Sequence, residues 1–221
     1  MQHDPDDPAA SASTFRDRFV QPQDLAAFRD WIASDIPVEL EIGSGKGLFL
    51  TNAAKENQAH RFVGLELATK YALECQARID KLGIPNAKFY ACDAVEVMEH
   101  DVLDNSIQAI HVYFPDPWWK SRHKKRRVLS EKTLRNIERC LVPEGELHFW
   151  TDVLDYYEST LELIEQITHL SGPYFVSEPP AVHDMDYRTH FERRTRRHGL
   201  PVYRARFTRV RRLSQSFPNQ T

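Results

Sequence analysis

Residues 38–50 read Val38-Glu-Leu-Glu-Ile-Gly-Ser-Gly-Lys-Gly-Leu-Phe-Leu50 (VELEIGSGKGLFL). An apolar, β-branched run from Val38 to Ile42 gives way to glycines at 43, 45 and 47, and a helix-forming segment from Leu48 to about Glu56 follows. Strand, glycine turn and helix make the opening unit of a parallel α/β sheet, where glycine lets the backbone approach a ligand closely. The chain then repeats the alternation. Arg61 to Leu67 reads as a strand, with a helix from about Thr69 to Leu82 stopped by Gly83. Ala87 to Cys92 reads as a third strand before a helix near Ala94 to Glu99, and Ile107 to Phe114 as a fourth. A helix from Glu131 to Leu141 starts after the N-cap residue Ser130 and ends before Pro143 and Gly145. Glu146 to Thr151 is the fifth strand, and a helix runs from Val153 to about His169.

The last two strand-like segments, Tyr174 to Ser177 and Val202 to Val210, lack the βαβ spacing. In the second, Tyr203, Ala205 and Phe207 alternate with Arg204, Arg206 and Thr208, as in a strand with two different faces. The pattern predicts an α/β, Rossmann-like fold. Its sheet is mostly parallel and seven-stranded, with helices on both faces and an antiparallel C-terminal edge. Neither a repeat nor a linker is evident, so residues 14–221 read as one domain, with 14–36 as a lead-in region carrying a short helix at Leu25 to Trp31. Residues 1–13, rich in Asp, Pro, Ala and Ser, read as a disordered acidic tail.

Composition narrows the class. The chain has 221 residues, 41% hydrophobic and 28% charged, and no apolar run approaches a membrane span. Its N-terminus, Met1-Gln-His-Asp, is the reverse of a secretory signal. Three cysteines without CxxC spacing oppose both a disulfide framework and a zinc site. A cytoplasmic protein with no metal is expected, as monomer or homodimer. The net charge of −3 hides an asymmetry: residues 1–119 hold 10 Lys+Arg against 19 Asp+Glu, and residues 120–221 hold 19 against 13. The basic residues cluster at 120–127, 188–197 and 204–212. Each cluster alone reads equally as a solvated face; converging, they would form a phosphate-binding surface.

An acidic residue, Glu41, stands just before the glycines, and a second, Glu66, closes the next strand 23 residues after Gly43. Dinucleotide sites use G-x-G-x-x-G and lay a pyrophosphate on the helix N-terminus. A carboxylate there is misplaced beside pyrophosphate and well placed for a cationic ligand. The E-x-G-x-G-x-G spacing therefore points to S-adenosylmethionine, whose sulfonium and ammonium groups are cationic and which carries no phosphate. Glu66 suits the ribose hydroxyls. Asp93 after the third strand is either an acceptor for the adenine amino group or an N-cap.

The fourth strand runs into Tyr113-Phe-Pro-Asp-Pro-Trp-Trp-Lys-Ser-Arg-His-Lys-Lys-Arg-Arg127. A carboxylate held between two prolines, two indoles and six cationic side chains are what is needed to hold a nucleic-acid base beside a reactive cofactor. Trp118 and Trp119 either stack on that base or pack under the loop. Thr189-His-Phe-Glu192 is a capping box, and a capped helix N-terminus is also a ligand-facing end. His111, inside a strand, reads as a core histidine.

Together FPDPWWKSRHKKRR, EIGSGKG, CDAVEVM, the WTD ending at Asp152 and Thr189-His-Phe-Glu192 resemble the bacterial tRNA (guanine-N7-)-methyltransferases. The resemblance runs from about Pro37 to Phe207, and PDPW-x-K-x-RH-x-KRR is its most specific part. It implies a class I methyltransferase that transfers a methyl group from S-adenosylmethionine to N7 of guanosine 46 in the tRNA variable loop, leaving S-adenosylhomocysteine. It further implies that Glu41, Glu66, Asp93 and Asp116 bind the cofactor or line its site, with Gly43 and Gly45 in the turn. It assigns Lys120, Asp152, Thr189, His190, Phe191 and Glu192 to the guanosine. Arg122, His123, Lys124, Lys125, Arg126 and Arg127 fall to RNA contact. Trp119 departs from the family, which more often has His or Pro there. Guanine N7 attacks with an in-plane lone pair, so Asp116 is expected to act by orienting the base and stabilising charge rather than as a strong base. Two other readings are methylation of a different acceptor, such as a nucleic-acid amino group or a protein side chain, and a non-enzymatic RNA-binding domain on the same fold.

Overall fold

A computed structural model describes residues 22–119, 122, 126–177, 180–181, 183 and 186–210. The acidic tail, Lys120, His123, Lys124 and Lys125 lie outside the described residues. The elements in chain order are α1 (Pro22–Ile32), β1 (Val38–Ile42), α2 (Leu48–Glu56), β2 (Arg61–Glu66), α3 (Thr69–Lys81), β3 (Ala87–Ala91), α4 (Ala94–His100), β4 (Ile107–Tyr113), α5 (Glu131–Cys140), β5 (Leu141–Thr151), α6 (Leu154–Ile167), β6 (Leu170–Tyr174), α7 (His190–Arg197) and β7 (Tyr203–Arg209). They build a seven-stranded sheet of order β3-β2-β1-β4-β5-β7-β6. The first five strands in that order pair in parallel, and β7 pairs antiparallel with both β5 and β6. This is the expected Rossmann-like architecture.

Each face of the sheet has its own core. On one, Phe28 and Ile32 of α1, Val97 and Met98 of α4, Leu134 and Ile137 of α5, and Tyr156 and Ile164 of α6 pack on Leu40, Val63, Ile110 and Phe149. On the other, Phe49, Leu50 and Ala54 of α2 and Cys75 and Ile79 of α3 pack on Phe62, Phe89, Tyr113 and Trp150. Full burial of each large apolar side chain contributes about 1.5–3 kcal/mol. Helix α5 shows the local logic: Ser130 caps Thr133 N at 3.3 Å, and Thr133, Leu134, Ile137 and Cys140 form the buried stripe. Cys75, Cys92 and Cys140 are buried free thiols. No helix among the described residues is long and apolar enough to cross a membrane.

Two boundaries differ from the sequence expectation. Pro143 and Gly145 do not separate helix from strand: α5 runs directly into an eleven-residue β5. Leu141 pairs with Ile107, and pairing resumes at Ala109 with Glu146, so Val142 to Gly145 bulge out of the ladder. A side chain at Gly145 would stand 2.8 Å from the Val142 carbonyl and 3.0 Å from that of Gln108, which is why glycine sits there. The sixth strand is Leu170–Tyr174 rather than Tyr174 to Ser177. Strand propensity favoured the Tyr-Phe-Val run, but α6 ends close enough that Leu170 and Ser171 meet Arg209 and Thr208 first. Phe175, left beyond the ladder, is 89% exposed. Gly172 lets β6 close on β7, since a Cβ there would lie 2.7 Å from the Phe207 ring.

Candidate active site

Four of the six predicted acidic site residues lie at or just past the carboxyl end of a parallel strand, while Glu41 lies within β1 and Glu192 within α7. Glu66 ends β2, Asp93 follows β3, Asp116 follows β4 and Asp152 follows β5. Strand order reverses between β1 and β4, and ligands of open α/β sheets bind at that crevice. Glu41 and the glycine turn stand on one side of it, and Asp116 on the other.

The turn is built around Glu66. Its Oε2 accepts Gly45 N–H at 2.7 Å and its Oε1 accepts Ala68 N–H at 2.8 Å, while Leu65 O accepts Gly43 N–H at 2.8 Å. From α3, Arg78 Nη1 donates to Lys46 O at 2.6 Å. Gly43 and Gly45 adopt φ of 74° and 52° with open space where a side chain would go. Gly47, φ 66°, is different: a Cβ would lie 2.8 Å from both Cys75 Sγ and the Phe89 ring. The first two glycines thus leave room for a ligand, and the third packs α2 onto its neighbours.

Glu41 faces this turn, is 3% exposed, and its Oε2 is buried without a hydrogen-bond partner. Burial, then repulsion from Glu66, raises its carboxyl well above the ordinary 4.5, against the pull of Arg188. It lines a cavity of about 560 Å³ with the glycine turn, Phe49 and Tyr71 on one wall and Thr189, His190, Phe191, Arg193, Arg194 and Arg197 on the other. An orphaned buried carboxylate beside left-handed glycines fits a ligand that brings a positive charge; S-adenosylmethionine meets that requirement. Asp93 caps α4, its Oδ1 accepting Val95 N–H at 2.9 Å and Glu96 N–H at 3.4 Å.

Across the crevice, the Phe114–Pro117 corner is held by Phe114 N–H on Trp150 O at 2.8 Å and by Arg127 Nε on Pro117 O at 2.9 Å. Phe114 and Trp118 adopt left-handed φ of 50° and 46°, conformations that cost a non-glycine residue on the order of 1–2 kcal/mol. Asp116, between them, is exposed. Arg127 corrects the sequence reading. It is buried, with Nη1 on Ser159 Oγ at 3.0 Å, Nη2 on Asp155 Oδ2 at 2.8 Å and its guanidinium 4.4 Å from the Tyr156 ring, so it clamps the loop to α6 instead of facing RNA. Arg122 and Arg126 are exposed. Trp118 is half-buried with Arg126 over its ring at 5.2 Å, and Trp119 is 70% exposed, so neither indole belongs to the core.

Helix α7 begins with a shifted form of the capping box: Thr189 Oγ1 accepts Glu192 N–H at 3.0 Å, and Glu192 Oε2 accepts at 2.6 Å from Arg188 N–H, one residue before the N-cap. Glu192 is 1% exposed and its Oε1 accepts Arg204 Nη2 at 3.0 Å and Arg196 Nη1 at 3.3 Å. Its carboxylate is committed to the fold, which turns its expected guanosine contact into a supporting role. Phe191 is half-exposed and stacks on Phe114, ring centroids 6.2 Å apart at 17°, joining the α7 wall to the Asp116 loop. His190 lines the cavity, and burial lowers its titration from 6.5, helped by Arg193. Asp152 is exposed, with Thr195 Oγ1 donating to its Oδ2 at 3.4 Å.

One polar chain was not expected. Arg188 Nη1 donates to Tyr113 Oη at 3.1 Å, which lies 2.9 Å from His111 Nδ1, and His111 Nε2 lies 2.8 Å from Glu39 Oε2. Burial, then the nearby His148, lowers His111 to about 4 against its bonds to Glu39, so the ring is neutral and donates from Nε2. His111 is a core histidine as expected. The alternation of Glu39 and Glu41 on the inward face of β1 was the signal that the sequence offered for this network.

A family model described as "Putative methyltransferase" matches residues 35–205. A tRNA (guanine-N(7)-)-methyltransferase from Rhodopirellula baltica is 46% identical over 192 residues, covering 83% of this chain and 71% of that protein. The chain belongs to this family. A second tRNA (guanine-N(7)-)-methyltransferase, from Buchnera aphidicola, is 36% identical over 184 residues, 80% of this chain and 73% of its own. Among solved structures, the aminoglycoside resistance methyltransferase NpmB1 superposes with a TM-score of 0.55 at 20% identity, over 84% of this chain and 93% of that one, a likeness of fold.

Proposed function

We propose that this protein transfers the methyl group of S-adenosylmethionine to N7 of guanosine 46 in the variable loop of tRNA, acting in the cytoplasm. Family membership supports the reaction class. The observation that carries the assignment of residues is the buried, unpartnered Glu41 carboxylate in the wall of the cavity at the β1–β4 crevice. When bound there, the cofactor supplies an electrophilic methyl group on a sulfonium. Glu41 would hold the positive end of the ligand, Glu66 and Asp93 its nucleoside, and the positive-φ turn at Gly43 and Gly45 would let the backbone come close.

Guanine N7 has an in-plane lone pair and loses no proton on methylation, so the protein's work is alignment and charge stabilisation. Alignment of N7 with the methyl carbon and sulfur is worth up to about 7–11 kcal/mol. Asp116 accepts from guanine N1–H and the exocyclic amino group, selecting guanine and stabilising the cationic ring that forms. Asp152 is the second acceptor. N7 lies on the Hoogsteen edge, which in RNA is best reached when the base is unstacked. The half-exposed Phe191, Trp118 and Trp119 offer surfaces for it, at about 1–3 kcal/mol per stacked base. Arg122 and Arg126, with Lys120, His123, Lys124 and Lys125, supply phosphate contacts.

The test is incubation with labelled S-adenosylmethionine and unmodified tRNA transcripts, followed by nucleoside mass spectrometry and mapping of the modified position. The expected product is 7-methylguanosine, absent when guanosine 46 is replaced by adenosine. Label in another nucleoside, or 7-methylguanosine persisting in the substituted transcript, overturns the reaction or the position respectively.

A further inference from the structure

Arg188 belongs by sequence to the basic cluster at 188–197, the kind of residue expected on a phosphate-binding face. The residue as a whole is exposed, but its guanidinium lies against three aromatic rings, 5.1 Å from the Phe49 ring centroid, 5.2 Å from Trp150 and 5.9 Å from Tyr113, and it donates to Tyr113 Oη at 3.1 Å. All three rings are buried. Arginine's planar, delocalised cation is suited to such a cage, where it stacks and hydrogen-bonds at once while staying charged.

What the cage connects is the telling point. Phe49 lies two residues past Gly47, in the first turn of α2, and both residues belong to the glycine-turn wall of the cavity. Arg188 immediately precedes Thr189, the N-cap of α7, and its own N–H is held by Glu192 at 2.6 Å. Thr189, His190 and Phe191 form the opposite wall. One side chain thus ties the two walls together from beneath. Tyr113, the third ring, closes β4 three residues before Asp116, and it is fixed in turn by His111 and Glu39.

We infer that Arg188 is a positioning residue for methyl transfer, which sets the spacing of the two cofactor-cavity walls through the Phe49–Tyr113–Trp150 cage and makes no contact with RNA phosphate. This rests on the cofactor reading above. The cation also stands on the side of Glu41 that opposes its burial, and so favours the ionised carboxylate that a cationic ligand needs.

Binding of S-adenosylhomocysteine by calorimetry, alongside steady-state kinetics on tRNA, tests the inference. Arg188→Met fills the cage with an apolar stem of similar length. It should weaken S-adenosylhomocysteine binding at least tenfold and leave the KM for tRNA and its salt dependence within twofold of wild type. Arg188→Lys, which keeps the charge without the planar fork, should recover only part of that loss. Tyr113→Phe removes one hydroxyl and should weaken binding severalfold, and the double variant with Arg188→Met should lose less than the two single losses combined, because they share the Arg188–Tyr113 bond. A raised tRNA KM with a flatter salt slope and unchanged S-adenosylhomocysteine affinity in Arg188→Met would make Arg188 a phosphate contact and overturn the inference. If Arg188→Met does not fold, wild-type affinity in Tyr113→Phe overturns it equally. Glu41→Gln keeps the two readings apart: unaltered binding in that variant sinks the cavity assignment itself, whatever Arg188 does.

Discussion

On the cofactor side of the crevice, Glu66 is fixed by backbone N–H groups 21 and 2 residues away. On the acceptor side, the fixed points are guanidinium groups that reach further: Arg127 to Asp155 across 28 residues, and Arg188 to Tyr113 across 75. The first half of the site is assembled as soon as strand, turn and helix form. The second exists only once α6 and α7 have packed. In the cofactor half Glu41 keeps an unpartnered oxygen for a ligand while Glu66 and Asp93 also hold backbone N–H groups, and in the acceptor half Arg127 and Glu192 are spent on the fold while Asp116 is exposed. Substitutions should divide accordingly, toward stability at the side chains committed to the fold and toward binding or turnover at those left open.

The sharpest break should come at Glu192. Its removal takes away the buried carboxylate, 1% exposed, that accepts from Arg204 at 3.0 Å, and breaking a buried pair costs about 3–5 kcal/mol. Urea melts of Glu192→Ala should show that loss, and a midpoint within error of wild type would return Glu192 to the ligand. Asp116→Ala should leave the melt unchanged, because the residue is exposed, and lower kcat by about a hundred- to a thousandfold. Near-normal turnover would strip it of its role.

Glu41→Gln should weaken S-adenosylhomocysteine binding by roughly ten- to a hundredfold, the worth of a hydrogen bond to a charged group. The same change should stabilise the fold in a pH-dependent manner. Because the folded carboxyl titrates well above 4.5, the neutral form stabilises the fold fully below that pH, and this contribution disappears as pH climbs through the folded value. Glutamine is neutral throughout, so the variant's advantage in melting temperature should widen as pH rises above 4.5. A constant or shrinking gap would mean that Glu41 is ionised at little cost. The smallest effect is expected for Arg122→Ala with Arg126→Ala: each should reduce the salt slope of tRNA binding by about one without altering the melt.

The cofactor half was legible in the sequence because its parts are local. Alternating glycines after a β-branched run, and acidic residues at successive strand ends, state their position through the strand period itself. The acceptor half was legible only in outline. Asp116 is announced by its prolines, but nothing in KKRR distinguishes Arg127, folded under the loop, from Arg126 on its surface. Arg188 was hidden in the same way among outward-facing cations. Which of several adjacent arginines turns inward is decided by the aromatic and acidic partners that packing brings from 28 to 75 residues away. The shifts in β5 and β6 have the same origin, since both depend on which partner strand a segment meets and not on its own propensity.

The far margin of the sheet carries one more consequence, for handling the protein. Strand β6 is five residues long, its register with β7 shifts between Ser171 and Tyr174, and Pro173 in that gap has no N–H to offer. A second molecule approaching edge-on finds an interrupted row of donors there, a recognised defence against strand-to-strand aggregation. Replacing Pro173 by a residue with a backbone N–H would hand that row a missing rung, and concentrated stocks of such a variant should cloud sooner on storage.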